Sequence, residues 1–174
     1  MLNNKLSVDA HIVGMLLVTA RALEKVGDAI FSRYGITLSM YELLMLIAVK
    51  VDTTTRMANM SQITLASITH KTKILEEKDY IRRVMDRKDK RIWYFSLTPN
   101  GKKLLETVSK VYDKVTMPLF AQLSEKEKQQ IVAFLTGTEQ HMRIALENRA
   151  QMLEHIDKML QVPNPRPDTS GRQD

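Results

Sequence analysis

Two short β-favouring runs, Ile81-Arg82-Arg83-Val84 and Ile92-Trp93-Tyr94-Phe95-Ser96-Leu97, interrupt a chain of 174 residues whose other apolar residues recur mostly at helical steps. Between the two runs lies Met85-Asp86-Arg87-Lys88-Asp89-Lys90-Arg91, a short and highly charged segment. Two strands joined by a charged tip make a β-hairpin, and everything around this hairpin has to be helix or turn. The predicted fold class is therefore mainly α with a small β-hairpin wing.

The helices are read from spacing and caps. Val8, Ile12, Met15, Leu16, Ala20, Leu23, Val26 and Ile30 recur mostly at three- and four-residue steps, which predicts an amphipathic helix of about six turns ending at Tyr34-Gly35. Thr37, or Ser39 paired with Glu42, opens a second helix. Its Tyr41, Leu43, Leu44, Leu46, Ile47 and Val49 nearly surround it, so it is predicted to be buried and to end near Lys50. Asp52-Thr53-Thr54-Thr55 predicts a short helix through Met57, Ala58 and Met60. A further helix is predicted over residues 65–78, with Ile68, Ile74 and Leu75 as its apolar side. After the hairpin, Thr98 caps a helix that carries Pro99 at its first position, and Pro118 kinks or ends it. Ser124 with Glu127 reads as a capping box for the last helix. There Leu135, Met142, Leu146, Leu153, Ile156 and Leu160 approach a coiled-coil seam, Gly137 is expected to interrupt it, and the helix is expected to run to about Gln161. Residues 162–174, with three prolines, are expected to form a disordered tail.

Charge is concentrated where the hairpin lies. The chain carries 26 Lys and Arg against 20 Asp and Glu, a net charge of +6. Residues 64–103 hold eleven bases and five acids, and the rest of the chain holds fifteen of each, so the whole excess sits in this window. A clustered basic patch is the footprint of a nucleic-acid partner.

The order helix, helix, short helix, helix, strand, charged tip, strand, helix, helix contains a winged helix-turn-helix. The major groove of DNA admits an α-helix whose side chains meet base edges, the preceding helix braces it, and a basic hairpin tip reaches phosphates or the minor groove. The fourth helix suits recognition, because Ser67, Thr69, His70, Lys71 and Lys73 are hydrogen-bonding or cationic types. Lys73, Lys88 and Lys90 are expected to contact phosphates, and Arg87 lies in the same basic tip. The boundaries follow: an N-terminal dimerisation helix over 6–34, the DNA-binding region over 35–98, C-terminal dimerisation helices over 99–161, and the tail beyond.

From Gly35 to Glu106 the chain resembles the MarR family, the multiple antibiotic resistance regulators. The pieces that carry the resemblance are Ile36-Thr37, Ser67-Ile68-Thr69-His70, Leu75-Glu76, Tyr80-Ile81-Arg82-Arg83, Asp89-Lys90-Arg91 and Leu97-Thr98-Pro99-Asn100-Gly101. The Asp-x-Arg wing followed by Leu-Thr-x-x-Gly, in this order, is the most specific of them. The resemblance implies a homodimer intertwined through its first and last helices. It implies Arg91 inserted into the minor groove with Asp89 as its brace, and Ser67, Thr69, His70 and Lys71 facing the major groove. It also implies release by a small-molecule effector held near segments that carry His11, Met15, Arg21 and Tyr41, without identifying the effector residues. Asp79 stands where the family usually has Gly, so the turn there is expected to differ. Lys88 stands where the family has the first wing Arg, and residues 52–64 match it weakly.

Other function classes find little support. The chain has no Cys, which removes disulfides, thiolate metal sites and cysteine redox sensing. Its four His are scattered and its six Gly are single, so no zinc-hydrolase spacing or phosphate loop is present. No catalytic residue, metal ligand or cofactor is expected. No apolar run reaches the roughly 18 residues of a membrane span. The predicted protein is a cytoplasmic, homodimeric repressor that reads a pseudo-palindromic operator in double-stranded DNA. The alternative is a winged-helix module that binds another protein.

Overall fold

A computed structural model describes residues 7–160, so the expectations for the last residue of the final helix and for the tail at 162–174 lie outside the described residues. The elements in chain order are α1 (Val8–Phe31), a 3₁₀ turn at Ser32–Tyr34, α2 (Leu38–Ala48), α3 (Thr54–Ser61), α4 (Leu65–Glu77), β1 (Ile81–Met85), β2 (Trp93–Leu97), α5 (Pro99–Thr116), a 3₁₀ turn at Met117–Phe120, α6 (Glu125–Glu147) and α7 (Arg149–Leu160). The chain divides into two compact units after Leu119. No single described helix is long and apolar enough to cross a membrane.

The helix starts follow from side-chain caps. Ser7, Thr37, Thr53, Thr64, Thr98 and Ser124 each accept a hydrogen bond from a backbone N–H in the first turn that would otherwise lack a partner. Thr37, not Ser39, caps α2 through Met40 N. Ser124 and Glu127 form the reciprocal capping box. Gly35 stops α1 and its 3₁₀ extension at φ 68°, the left-handed conformation that costs glycine least.

In the first unit the core is built from both ends of the chain order. Phe31 of α1, Leu43, Leu44 and Ile47 of α2, Met57 of α3, Ile68 and Leu75 of α4, Ile81 of β1, Phe95 of β2 and Val108 of α5 are all buried together. Phe31 stacks on Tyr41 with ring centroids 4.6 Å apart and on Tyr112 at 5.5 Å, which ties α1, α2 and α5 with aromatic contacts. β1 and β2 pair antiparallel from Ile81 opposite Leu97 to Met85 opposite Trp93. Phe95 N also donates to Asp52 O at 2.7 Å, so β2 is tied to the segment just before α3.

The junction of α4, the hairpin and α5 is the tightest point. Thr98 Oγ1 donates to Asp79 O at 2.6 Å and accepts from Gly101 N at 3.0 Å, while Thr98 N donates to Tyr80 O at 3.1 Å. The turn at Asp79 does not depart from the glycine pattern. Asp79 adopts φ 56°, and its carboxylate accepts from Asn100 Nδ2 at 2.7 Å. Asp is among the few residue types that tolerate this conformation, and the bond to Asn100 helps hold it there.

The second unit holds α6 and α7, and one expectation for it fails. Gly137 does not interrupt the helix: α6 runs through it, with open space where a side chain would stand. The break falls at Asn148, whose Nδ2 donates to Ile144 O at 3.0 Å while its own carbonyl accepts from Met152 N. Asn competes for backbone partners through its side chain, which favours helix ends over interiors.

Much apolar surface stays uncovered. On α1, Val8, Ile12, Val13, Met15, Leu17 and Val18 are exposed. On α6 and α7, Val132, Phe134, Met142, Leu146, Leu153 and Leu160 are exposed, and no described residue of the second unit is fully buried.

Gly101→Ala is expected to lower stability by about 3 kcal/mol, because the new Cβ would lie 1.9 Å from the Tyr80 carbonyl oxygen, a backbone atom that cannot swing aside. Denaturant unfolding of the two proteins measures this, and a loss below about 1 kcal/mol would show that the junction yields.

Candidate nucleic-acid interface

α4 is held by one stripe and offers the other. Ile68, Thr72 and Leu75, at steps of four and three, are buried against the first unit's core. The buried Thr72 hydroxyl is satisfied within the helix by Ile68 O at 2.9 Å. Ala66, His70, Lys73 and Glu77 lie on the opposite side, all exposed. Thr69 flanks them, its hydroxyl donating to Leu65 O at 2.8 Å so that its lone pairs remain free to accept. Ser67 and Lys71 are half-buried, with Lys71 Nζ donating to Ser67 Oγ. These two sit nearer the core side than His70 and Lys73, so the exposed face is narrower than the sequence pattern alone outlines. Lys71 also opposes the charge of Glu42 on α2, whose carboxyl is pushed up first by burial and then by Glu24 and Asp28.

The hairpin tip is organised by two carboxylates. Asp86 accepts from Lys88 N at 2.7 Å and from Asp89 N at 2.8 Å. Asp89 accepts from Arg91 N at 3.0 Å and pairs with Arg91 Nε at 3.4 Å. Its carbonyl also accepts from Ile92 N at 2.9 Å, which closes the turn. The result is an Arg91 side chain 93% exposed yet anchored at its base. Arg87, Lys88 and Lys90 are exposed around it and make no ion pair among the described residues.

Between the start of α3, the exposed side of α4 and the hairpin lies an open groove of about 890 Å³. Four cations line it, and each has a carboxylate partner. Arg56 Nη1 lies 3.2 Å from Asp52, Lys73 Nζ 3.9 Å from Glu77, Arg83 Nε 3.3 Å from Glu76, and Arg91 Nε 3.4 Å from Asp89. Exposed pairs of this kind add little stability, about 0–1 kcal/mol each, but they set the direction of a long side chain. Among the described residues no three His, Asp or Glu converge where they would hold a metal ion.

Several of these residues were missed in the sequence pattern. Asp86 acts on Lys88 and Asp89 as an Asx turn, a signal present in its spacing. Arg56, in the first turn of α3, sits four residues after Asp52, which precedes the helix, a local pairing that was legible. Arg83 needed the strand register: it lies opposite Phe95 and so shares the buried residue's face.

This fold matches known proteins. A crystal structure of a MarR/EmrR family transcriptional regulator from Acinetobacter sp. ADP1 superposes with a TM-score of 0.71 at 21% identity, covering 79% of this chain and 99% of that one. A crystal structure of the S. aureus MepR-DNA complex superposes with a TM-score of 0.67 at 24% identity, covering 79% and 99%. The HTH-type transcriptional regulator YwaE of Bacillus subtilis is 28% identical over 82 residues, 47% of this chain. The match spans about half of that relative's length, 48%. No protein-family model matches the chain. The chain has the MarR-type winged-helix fold, as the wing and the Leu-Thr-x-x-Gly turn implied.

The Asp86 carboxyl is held below the ordinary 3.8 first by the N–H of Asp89, then by that of Lys88, with the Tyr94 hydroxyl adding to both. The folded tip thus favours the ionised form. Its contribution is present above pH 3.8 and is lost as pH falls through the lowered folded value. Lys88 and Asp89 amide NMR shifts are expected to titrate below pH 3.8 and to lose that step in Asp86→Ala. A midpoint at or above 3.8 would contradict the turn geometry.

Proposed function

We propose that this chain is a sequence-specific DNA-binding transcriptional regulator acting as a homodimer, a repressor released by a small-molecule effector, with no enzymatic step. The observation that carries this reading is the pairing of an exposed polar and basic side of α4 with a braced, exposed Arg91 on the adjoining hairpin. His70, Lys73 and Thr69, with Ser67 and Lys71 at the edge, meet base edges in the major groove. Arg91, oriented by Asp89, enters the neighbouring minor groove, where negative potential is strongest when the groove is narrow. Arg87, Lys88, Lys90 and Lys73 contact phosphates and position the protein without selecting sequence.

The second copy is supported by the exposed apolar residues of α1, α6 and α7, which a single chain leaves in water. Two copies present two recognition helices about 34–36 Å apart and read an inverted repeat. The similarity to a regulator solved with DNA, MepR, and to the HTH-type regulator YwaE supports the same reading. A regulator of this kind works in the cytoplasm, where its DNA is.

Selection of bound duplexes from a random DNA pool, repeated at two salt concentrations, tests the reading. An inverted repeat and a steep loss of affinity with salt are expected. Failure to enrich any site, with salt-insensitive binding to protein partners instead, would favour the protein-interaction module. On the selected duplex, Arg91→Ala is expected to cost about 1–3 kcal/mol of binding. Unchanged affinity would remove Arg91 from the interface.

A further inference from the structure

We propose that Arg83 is a positioning residue that fastens the wing to the recognition helix and so fixes where Arg91 stands relative to His70 and Lys73. This rests on the DNA-reading function above.

Of the four cations in the groove, three are paired within their own segment: Arg56 with Asp52, Lys73 with Glu77, and Arg91 with Asp89. Arg83 alone among them joins two elements. From β1 it reaches Glu76 of α4 at 3.3 Å, and its guanidinium lies 4.9 Å from the ring centre of Trp93 on β2. A planar guanidinium can present its edge to a carboxylate and its face to an indole at the same time, and a lysine ammonium cannot.

The register gives the contact its leverage. Trp93 pairs with Met85 on the last rung before the tip, and Arg83 pairs with Phe95 two rungs inward on the same face. Phe95 is buried and its hydrogen bond to Asp52 fixes that rung. Arg83 therefore grips the last rung, two residues further out on its own face, where the hairpin leaves the core. Glu76 is otherwise out of place. An acid beside a groove built for a polyanion repels it, unless it serves to hold something, and what it holds is Arg83.

The experiment uses the full chain as wild type, Arg83→Lys and Glu76→Gln, on the selected duplex and on a scrambled duplex of equal length, together with Trp93 fluorescence. Trp93 is the chain's one tryptophan, so without DNA its emission and quenching report the surroundings of this side chain. Both variants are expected to lose about three- to tenfold in affinity for the selected duplex, and Arg83→Lys to keep its affinity for the scrambled one. Trp93 emission and quencher access are expected to change in both. Arg83→Lys binding both duplexes as wild type does, or Glu76→Gln gaining selectivity for the selected duplex, would make Arg83 a plain phosphate contact and overturn the proposal. If wild type itself shows no preference, the DNA-reading function fails. The clamp is then judged on Trp93 alone, and unchanged emission in both variants overturns it.

Discussion

Thr98 holds three elements at one point. Its hydroxyl donates to the last turn after α4 and accepts from the first turn of α5, and its N–H binds the carbonyl of Tyr80, where β1 begins. One buried and one part-buried hydrogen bond on a single hydroxyl would cost more to leave unmade than they add when made, so the junction favours one arrangement. Gly101 is required because the Tyr80 carbonyl occupies the place of a Cβ. The angle at which the hairpin leaves α4 is decided here, and the wing, the groove and Arg91 all inherit it.

The hairpin tip, beyond the rungs of Ile81 and Phe95, is held by charge rather than by burial. The tip has no apolar core of its own, so carboxylates do the organising: Asp86 on two backbone amides and Asp89 on Arg91. The arrangement explains how a basic surface carries acids without losing its purpose. Each acid is committed to a nearby donor, and the outward groups are Arg87, Lys88, Lys90 and the far end of Arg91.

The parts of this structure legible in the sequence are those governed by neighbours along the chain. Thr37, Thr98 and Ser124 could be named as caps because capping is a three-residue affair, and the hairpin could be named because its pattern changes period. Gly137 misled because a glycine weakens a helix only modestly, and the break went instead to Asn148, whose side chain competes for the backbone. Arg83 was unreadable as a clamp because its partners belong to two other elements, and no local spacing reveals them. The narrowing of the α4 face, with Lys71 turned toward Ser67, was hidden for the same reason.

The proposed pairing of two chains on one DNA rests on the apolar residues left exposed on α1, α6 and α7. Hydroxyl-radical footprinting of the full chain on its selected duplex tests that claim most directly. The account predicts two equal protected patches related by a dyad, about one helical turn apart, each flanked by protection in the adjoining minor groove where Arg91 inserts. A single unsymmetrical patch, or protection confined to the phosphates with no minor-groove component, would contradict it.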